Sequence, residues 1–255
     1  MTTHIWCDRE EDACRIAAAS RIPNIVPSVD ALIGAVDAVL IPTDRGEEHV
    51  SRAAPFVEAG VPIFFDKPLC DNAADLTTFR RWVKAGRAIM SSSAMRYAAE
   101  FVALRSEIPN SGELRLITMT MAKSWLRYGI HALEGVYPFL PAGGWVSAAN
   151  SGREGAEVVH LRHRQGVDVV IVVIEDLFGG FAHLNLYGTQ QRRAAQFNDS
   201  FTAFKAQLTA FVNYLQTGQR PYPFDETIEL TKLLIAAHQS RQRGGRTVAI
   251  SEIEG

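Results

Sequence analysis

Two residues carry most of the chemistry this sequence can offer. Lys67 closes the run Gly60-Val61-Pro62-Ile63-Phe64-Phe65-Asp66-Lys67-Pro68-Leu69, in which an apolar stretch of strand character ends in Asp-Lys-Pro. The carboxyl ends of parallel strands are where open α/β sheets bind their ligands. Pro68 cannot donate a ladder hydrogen bond and turns the chain out of the strand at that point. An ammonium so placed can hold a substrate hydroxyl or help move its proton; the bland alternative is a surface lysine after a strand. His131 is the second residue. It follows Arg127-Tyr128-Gly129-Ile130 at an expected helix start, where a lone histidine is more often a packed or capping residue. A guanidinium from Arg127 beside it would lower the ring's pKa, and Glu134 could orient the ring from the next turn.

The elements that must position these residues change character along the chain. Residues 35–42, 61–66 and 87–92 are short, mainly apolar runs suited to parallel strands covered on both faces. Helical stretches separate them: 10–20 after a short strand at 4–7, 47–58 ending at Gly60, and 73–85 between an Asp71 or Asn72 N-cap and Gly86. Strands spaced by helices of this length make βαβ units and a doubly wound sheet. After Ser111 the pattern becomes strand after strand: 114–122, 157–164, 167–175 and 180–187, with Gln165-Gly166 as a hairpin turn. Two late helices, 201–215 and 226–241, lead through Gly244-Gly245-Arg246 to a last strand at 247–250. This half reads as an α+β domain.

Composition narrows the classes. The 255 residues are 47% hydrophobic and 21% charged, with a formal charge of −2, so neither nucleic acid nor an anionic membrane is an expected partner. No apolar run reaches membrane-span length and the start lacks signal-peptide features, which makes the cytoplasm the default compartment. Cys7, Cys14 and Cys70 form no Cys-x-x-Cys pair and are expected to be small packed hydrophobes, with Cys70 set apart by its place after the lysine motif. No metal site is expected.

Several stretches, in order, resemble the glucose–fructose oxidoreductase / inositol dehydrogenase / MocA family. They are Val36-Asp37-Ala38-Val39-Leu40-Ile41-Pro42-Thr43 followed by His49; the 60–69 run, with Asp66 where the family has Glu; Met95-Arg96-Tyr97; Gly112-Glu113-Leu114, similar to the opening of the family's second domain; and the run from Phe211-Val212 through Gly218, Pro221 and Glu226 to Ser240 and Val248. The resemblance covers nearly the whole chain. It implies an N-terminally shortened Rossmann-like α/β domain over 1–108 and an α+β domain with a mainly antiparallel sheet over 109–255. The implied activity is an NAD(P)-dependent oxidation or reduction of a sugar, polyol or related hydroxyl compound. Lys67 would then position substrate and cofactor, and His131 would be the acid/base at the carbinol, although Arg127 stands where many relatives have an Asp. The implied NAD or NADP contacts are Asp8, Arg9, Pro42, Thr43, His49, Asp66, Lys67 and Pro68. The implied substrate contacts are Arg96, Tyr97, Lys123 and Tyr128. Arg9 could accept a 2′-phosphate that Asp8 would oppose, so the choice of cofactor stays open. The exposed face of the second-domain sheet is the implied homo-oligomer surface.

One part of the family pattern is missing. Rossmann sites cradle the pyrophosphate with Gly-x-Gly-x-x-Gly between the first strand and helix, and this sequence has no glycine before Gly34. In one reading, strand 4–7 is the family's second strand, Asp8 is its ribose-binding acid, and the central strand with its loop is absent, leaving a gap in the sheet. In the other, strand 4–7 opens a reduced sheet and the turn Asp8-Arg9-Glu10-Glu11-Asp12 would repel a pyrophosphate. The competing functional expectation is a non-catalytic relative that binds a small ligand or serves as an oligomer scaffold. A lyase or hydrolase that kept the cleft is a third.

Overall fold

The computed structural model describes residues 1–179 and 181–254. Strand β1 (His4–Ile5) leads into α1 (Glu10–Ser20), and the chain returns parallel to β1 as β2 (Asn24–Ile25). Then β3 (Val39–Ile41), α2 (His49–Ala59), β4 (Ile63–Phe65), α3 (Ala73–Lys84) and β5 (Ile89–Ser91) follow, with the three strands parallel in the order β3-β4-β5. Local chemistry sets the boundaries. Gly60 ends α2 in the left-handed region at φ 75°, and the Asn72 side chain accepts the Asp75 N–H at 2.9 Å to start α3. All three residues of β4 are buried, as a strand covered on both faces requires.

The parallel strands fall into two separate sheets, β1-β2 and β3-β4-β5. β1 therefore does not open a single reduced sheet with β3-β4-β5. Leu40 on β3, the edge strand of the three-stranded sheet, is 44% exposed. A salt bridge spans the two units, from Arg52 of α2 to Asp8 after β1 at 2.7 Å.

Helix α4 (Ala99–Ser106) carries the chain to a seven-stranded sheet built from β6 (Leu114–Ala122), β7 (Trp145–Asn150), β8 (Ala156–His163), β9 (Asp168–Ile174), β10 (His183–Gly188), β11 (Arg192–Gln196) and β12 (Val248–Ala249). The order is β11-β10-β6-β9-β8-β7-β12, antiparallel except for the central β6–β9 pair. Helix α5 (Ile130–Val136) and the long helix α7 (Phe224–Gln242) cover one face, and α7 also packs on α3. Helix α6 (Ser200–Thr217) returns to the parallel sheet, where Phe211 meets Phe64 at a ring separation of 5.4 Å. One continuous core runs from Ile63 and Phe65 through Leu133 to Leu161 and Ile171.

The mixed α/β architecture is the one the sequence implies. Strand β7, with its small and polar residues, and β11, an edge strand of Arg and Ala, lack the apolar alternation that reveals a strand. The strand expected at 180–187 begins at His183, and Gly180 lies outside the described residues. Of the cysteines only Cys70 is packed in the core; Cys14 is exposed on α1 and Cys7 partly so, which corrects the expectation for that pair. Among the described residues, no helix is long and apolar enough to cross a membrane.

Phe65 has no exposed surface and lies between the rings of His49 (5.3 Å) and Phe79 (5.1 Å). Phe65→Ala is expected to cost about 3–5 kcal/mol in urea unfolding. Phe178→Ala, at a fully exposed ring, should leave the midpoint unchanged; equal effects would refute this account of the core.

Candidate active site

Lys67 follows the end of β4 and is buried, with 7% of its surface exposed. Its ammonium lies 3.2 Å from the Asp66 carboxylate and 5.6 Å from the centre of the Tyr128 ring. Burial raises the Asp66 pKa, against the pull of Lys67. The Tyr128 ring is 5.3 Å from His131, and Phe181 stands 6.5 Å from both. Lysine, tyrosine, histidine and phenylalanine therefore form one cluster between the parallel sheet and the helical layer of the larger sheet.

His131 is held from behind. Its Nδ1 is 2.6 Å from the hydroxyl of Ser93, a buried residue just past β5. Burial, then the charge of Lys67, lowers the His131 pKa to about 3, so the ring is neutral through the ordinary pH range. Arg127 has no part in this: its guanidinium faces Asp44 at 3.6 Å. Glu134 does not orient the ring directly either. Its two oxygens accept the Ser93 backbone N–H (3.1 Å) and Arg96 Nε (2.5 Å), so it acts on His131 one residue removed.

A second histidine fastens the loops. His49, at the start of α2, has no exposed surface, and its ring nitrogens lie 2.9 Å from Leu69 O and 3.0 Å from Thr43 O. It ties the loop after β3 to the Lys67-Pro68 loop. Its influence on any ligand runs through those loops rather than through contact. Gly46 lets them close: a Cβ there would sit 2.9 Å from Cys70 Cα.

The remaining expected residues divide. Pro42 and Thr43 follow β3, level by strand register with Asp66 and Lys67 after β4, and the buried Thr43 hydroxyl has no hydrogen-bond partner among the described residues. Pro68 is buried behind Lys67. Lys123 is exposed beyond β6. Asp8 is exposed and held by two hydrogen bonds from Arg52, which lower its pKa. Arg9 pairs with Glu11 and Asp12 in the first turn of α1. Arg96 and Tyr97 do not join the Lys67–His131 cluster, contrary to the expectation that they face one cleft. Arg96 Nη1 binds Glu226 at 2.7 Å and the guanidinium stacks 3.9 Å over Tyr222. Burial, the largest influence, opposes its charge, but Glu134, Tyr222 and Glu226 together outweigh it and the pKa is raised. Burial and then Glu134 push the Tyr97 hydroxyl up to about 12. Both residues line a separate cavity of about 380 Å³ with Arg105, Tyr137 and Tyr222. Ser93 and Phe181 carried no signal in the sequence: one sits in a run of serines, the other follows two glycines.

No family model matches the sequence. Among curated proteins, a candidate UDP-kanosamine synthase oxidoreductase subunit from Amycolatopsis mediterranei is 29% identical over 108 residues, 42% of this chain and 27% of that protein. The match thus spans about a quarter of that relative. Solved structures match over almost the whole chain. An oxidoreductase from Agrobacterium radiobacter in complex with NAD+, L-tartaric acid and magnesium has a TM-score of 0.85 at 15% identity, covering 98% of this chain and 91% of its own. The myo-inositol dehydrogenase of Corynebacterium glutamicum scores 0.80 at 21% identity (97% and 90%). The myo-inositol 2-dehydrogenase of Lactobacillus plantarum scores 0.83 at 15% (97% and 91%). At these identities the likeness establishes the fold, which is that of the inositol dehydrogenases and their relatives.

The depressed His131 pKa has a consequence for stability. Above pH 6.5 the ring is neutral in both folded and unfolded chains and contributes nothing. Between 6.5 and about 3 the unfolded chain binds a proton that the folded one excludes, so stability falls as pH falls. At about 1.4 kcal/mol per pH unit, the protein should lose roughly 2 kcal/mol between pH 7 and pH 5 that His131→Gln does not lose. Urea unfolding at both pH values measures it, and parallel losses in the two proteins would sink the assignment.

Proposed function

We propose that this chain is an NAD(P)-linked oxidoreductase of the inositol-dehydrogenase type, acting on the carbinol or carbonyl carbon of a sugar, polyol or related hydroxyl compound. The observation that carries this reading is that Lys67 and His131, from opposite layers, meet around the Tyr128 ring at the strand ends. The divide near residue 108 would separate a nucleotide-side domain from a substrate-side domain, with the cleft between them.

The residues present fit one end of a dinucleotide. Thr43, with its unpartnered buried hydroxyl, and Lys67 would meet the nicotinamide side. The pyrophosphate end does not fit the residues described: α1 begins with Glu10, Glu11 and Asp12, which repel phosphate, and no glycine precedes Gly34. A bound nicotinamide would supply or take the hydride. The chain's own part is to bind the substrate oxygen between the Lys67 ammonium and the His131 ring, and to keep water from the reacting carbon with Tyr128 and Phe181. A small molecule with several hydroxyls suits such a cleft.

Titration of the purified chain with NADH and NADPH, read by calorimetry and nicotinamide fluorescence, tests the reading. Saturable binding at micromolar levels and turnover of a sugar or polyol are expected, with Lys67→Ala abolishing turnover while circular dichroism is unchanged. A folded protein that binds neither nucleotide at millimolar levels overturns the reading, and the non-catalytic scaffold takes its place. The arrest of Asp8 by Arg52 would favour that second reading.

The open face of the seven-stranded sheet, with Val146 and Val158 at 49% and 38% exposure, is the surface we assign to a homo-oligomer. Sedimentation velocity should give an oligomer that Val158→Glu dissociates; a monomeric parent protein would end this assignment.

A further inference from the structure

We infer that Ser93 is a positioning residue that fixes the tautomer of His131, so that the ring presents an Nε2–H donor to the cleft and is not the base there. The inference rests on the oxidoreductase reading for its consequence in catalysis, but not for its geometry.

The argument counts hydrogen-bond capacity. Ser93 caps the helical turn Ala94–Tyr97: its Oγ accepts the Met95 N–H at 3.0 Å, while its own N–H is spent on Glu134 Oε1 at 3.1 Å. The residue has no exposed surface, so water cannot serve the hydroxyl. With one lone pair engaged by Met95, the hydroxyl proton still needs an acceptor, and the partner in reach is His131 Nδ1 at 2.6 Å. A buried hydroxyl left without an acceptor costs about 1–3 kcal/mol. The O–H therefore donates and Nδ1 accepts. In a neutral imidazole that leaves the proton on Nε2. The charged groups around the ring favour neutrality as well: the charge of Lys67 acts on it, and Glu134, three residues on along α5, is paired with Arg96.

A donor at Nε2 changes the division of labour. The lone pair His131 would need as a base is already occupied by Ser93, and a neutral N–H is too weak an acid to release its proton. The ring instead donates a hydrogen bond to the substrate oxygen and polarises it. In the direction of carbonyl reduction, a bound nicotinamide would supply the hydride that the carbonyl carbon needs. The oxygen takes a proton from the Lys67 ammonium: the N–H bond breaks, the O–H bond forms, and the free amine recovers a proton from solvent. The reverse sequence serves carbinol oxidation.

The test is ¹⁵N NMR of the histidine ring nitrogens in the full chain without nucleotide or substrate, with His131 assigned by its loss in His131→Gln. The expected spectrum shows protonated Nε2 and bare Nδ1 from pH 5 to pH 8. Ser93→Ala should convert the single form to a mixture of tautomers, and Ser93→Thr, which keeps a hydroxyl for both bonds, should restore it. A protonated Nδ1 in the parent protein overturns the proposal whether or not Ser93→Ala folds, and so does an unchanged ring in a folded Ser93→Ala. Because the readout needs no turnover, a protein that binds no NAD(P)H but shows the expected tautomer would reject the oxidoreductase reading alone.

Discussion

The buried pairing of Arg96 with Glu134 is the constraint on which the rest of the site depends. Arg96 leaves the end of β5, Glu134 sits on α5, and Glu226, the second carboxylate on Arg96, belongs to α7. Three elements from the two halves of the chain are thereby joined at charges that solvent barely reaches. Such a pair adds little net stability compared with an apolar contact of the same size. Losing one partner is another matter, since about 3–5 kcal/mol is typical when a buried charge is left alone. The pair works as a registration pin: α5 can dock on the parallel sheet in the position that satisfies both carboxylates, and His131 travels with α5.

From this pin the control of the cleft spreads through hydrogen bonds of decreasing burial. Glu134 holds the Ser93 backbone, Ser93 holds the His131 ring, and His131 faces the cleft. On the opposite wall, His49 plays the corresponding part with neutral partners, its ring lodged between the Thr43 and Leu69 carbonyls and donating its N–H to one of them. Each reactive side chain is thus backed by a buried histidine or carboxylate that never meets the ligand, the arrangement by which a supporting shell preorganises a site. The tilted contacts among Tyr128, His131 and Phe181 close the remaining side with apolar surface.

Much of this was legible in the sequence, and what was not has a physical reason. Strands β3, β4 and β5 announced themselves because a strand buried on both faces is a continuous apolar run, and Lys67 could be placed at a strand end through Pro68. His131 stood out through the resemblance of its segment to the family's, since a lone histidine at a helix start is by itself more often packed or capping. The roles of Glu134 and Arg96 could not be read in the same way. Glu134 lies three residues from His131 in sequence, so it looked like the ring's own partner, yet the helix directs it into the core towards Arg96 and Ser93, thirty-eight and forty-one residues away. Local spacing reports neighbours on one helix and is silent about what packs against it. Arg127 misled for the same reason: its guanidinium leaves the helix surface for Asp44 on the other half of the chain.

The two ends of the expected nucleotide site differ in what anchors them. The nicotinamide end is built on β3 and β4, whose residues belong to the central core, and on loops fastened by a fully buried histidine. The opposite end rests on the two-stranded unit of β1 and β2, which meets α2 through the Asp8–Arg52 bridge, an exposed ion pair of the kind worth at most about 1 kcal/mol. An acid that must accept ribose hydroxyls would first have to leave Arg52, and the three carboxylates opening α1 set a negative field where a pyrophosphate would lie. On the proposed reading the substrate half of the site would be preorganised by burial, while the affinity for a dinucleotide would be decided at its least anchored end. On that reading, substrate recognition and nucleotide binding would be separable properties, because differently anchored parts of the fold would be responsible for each.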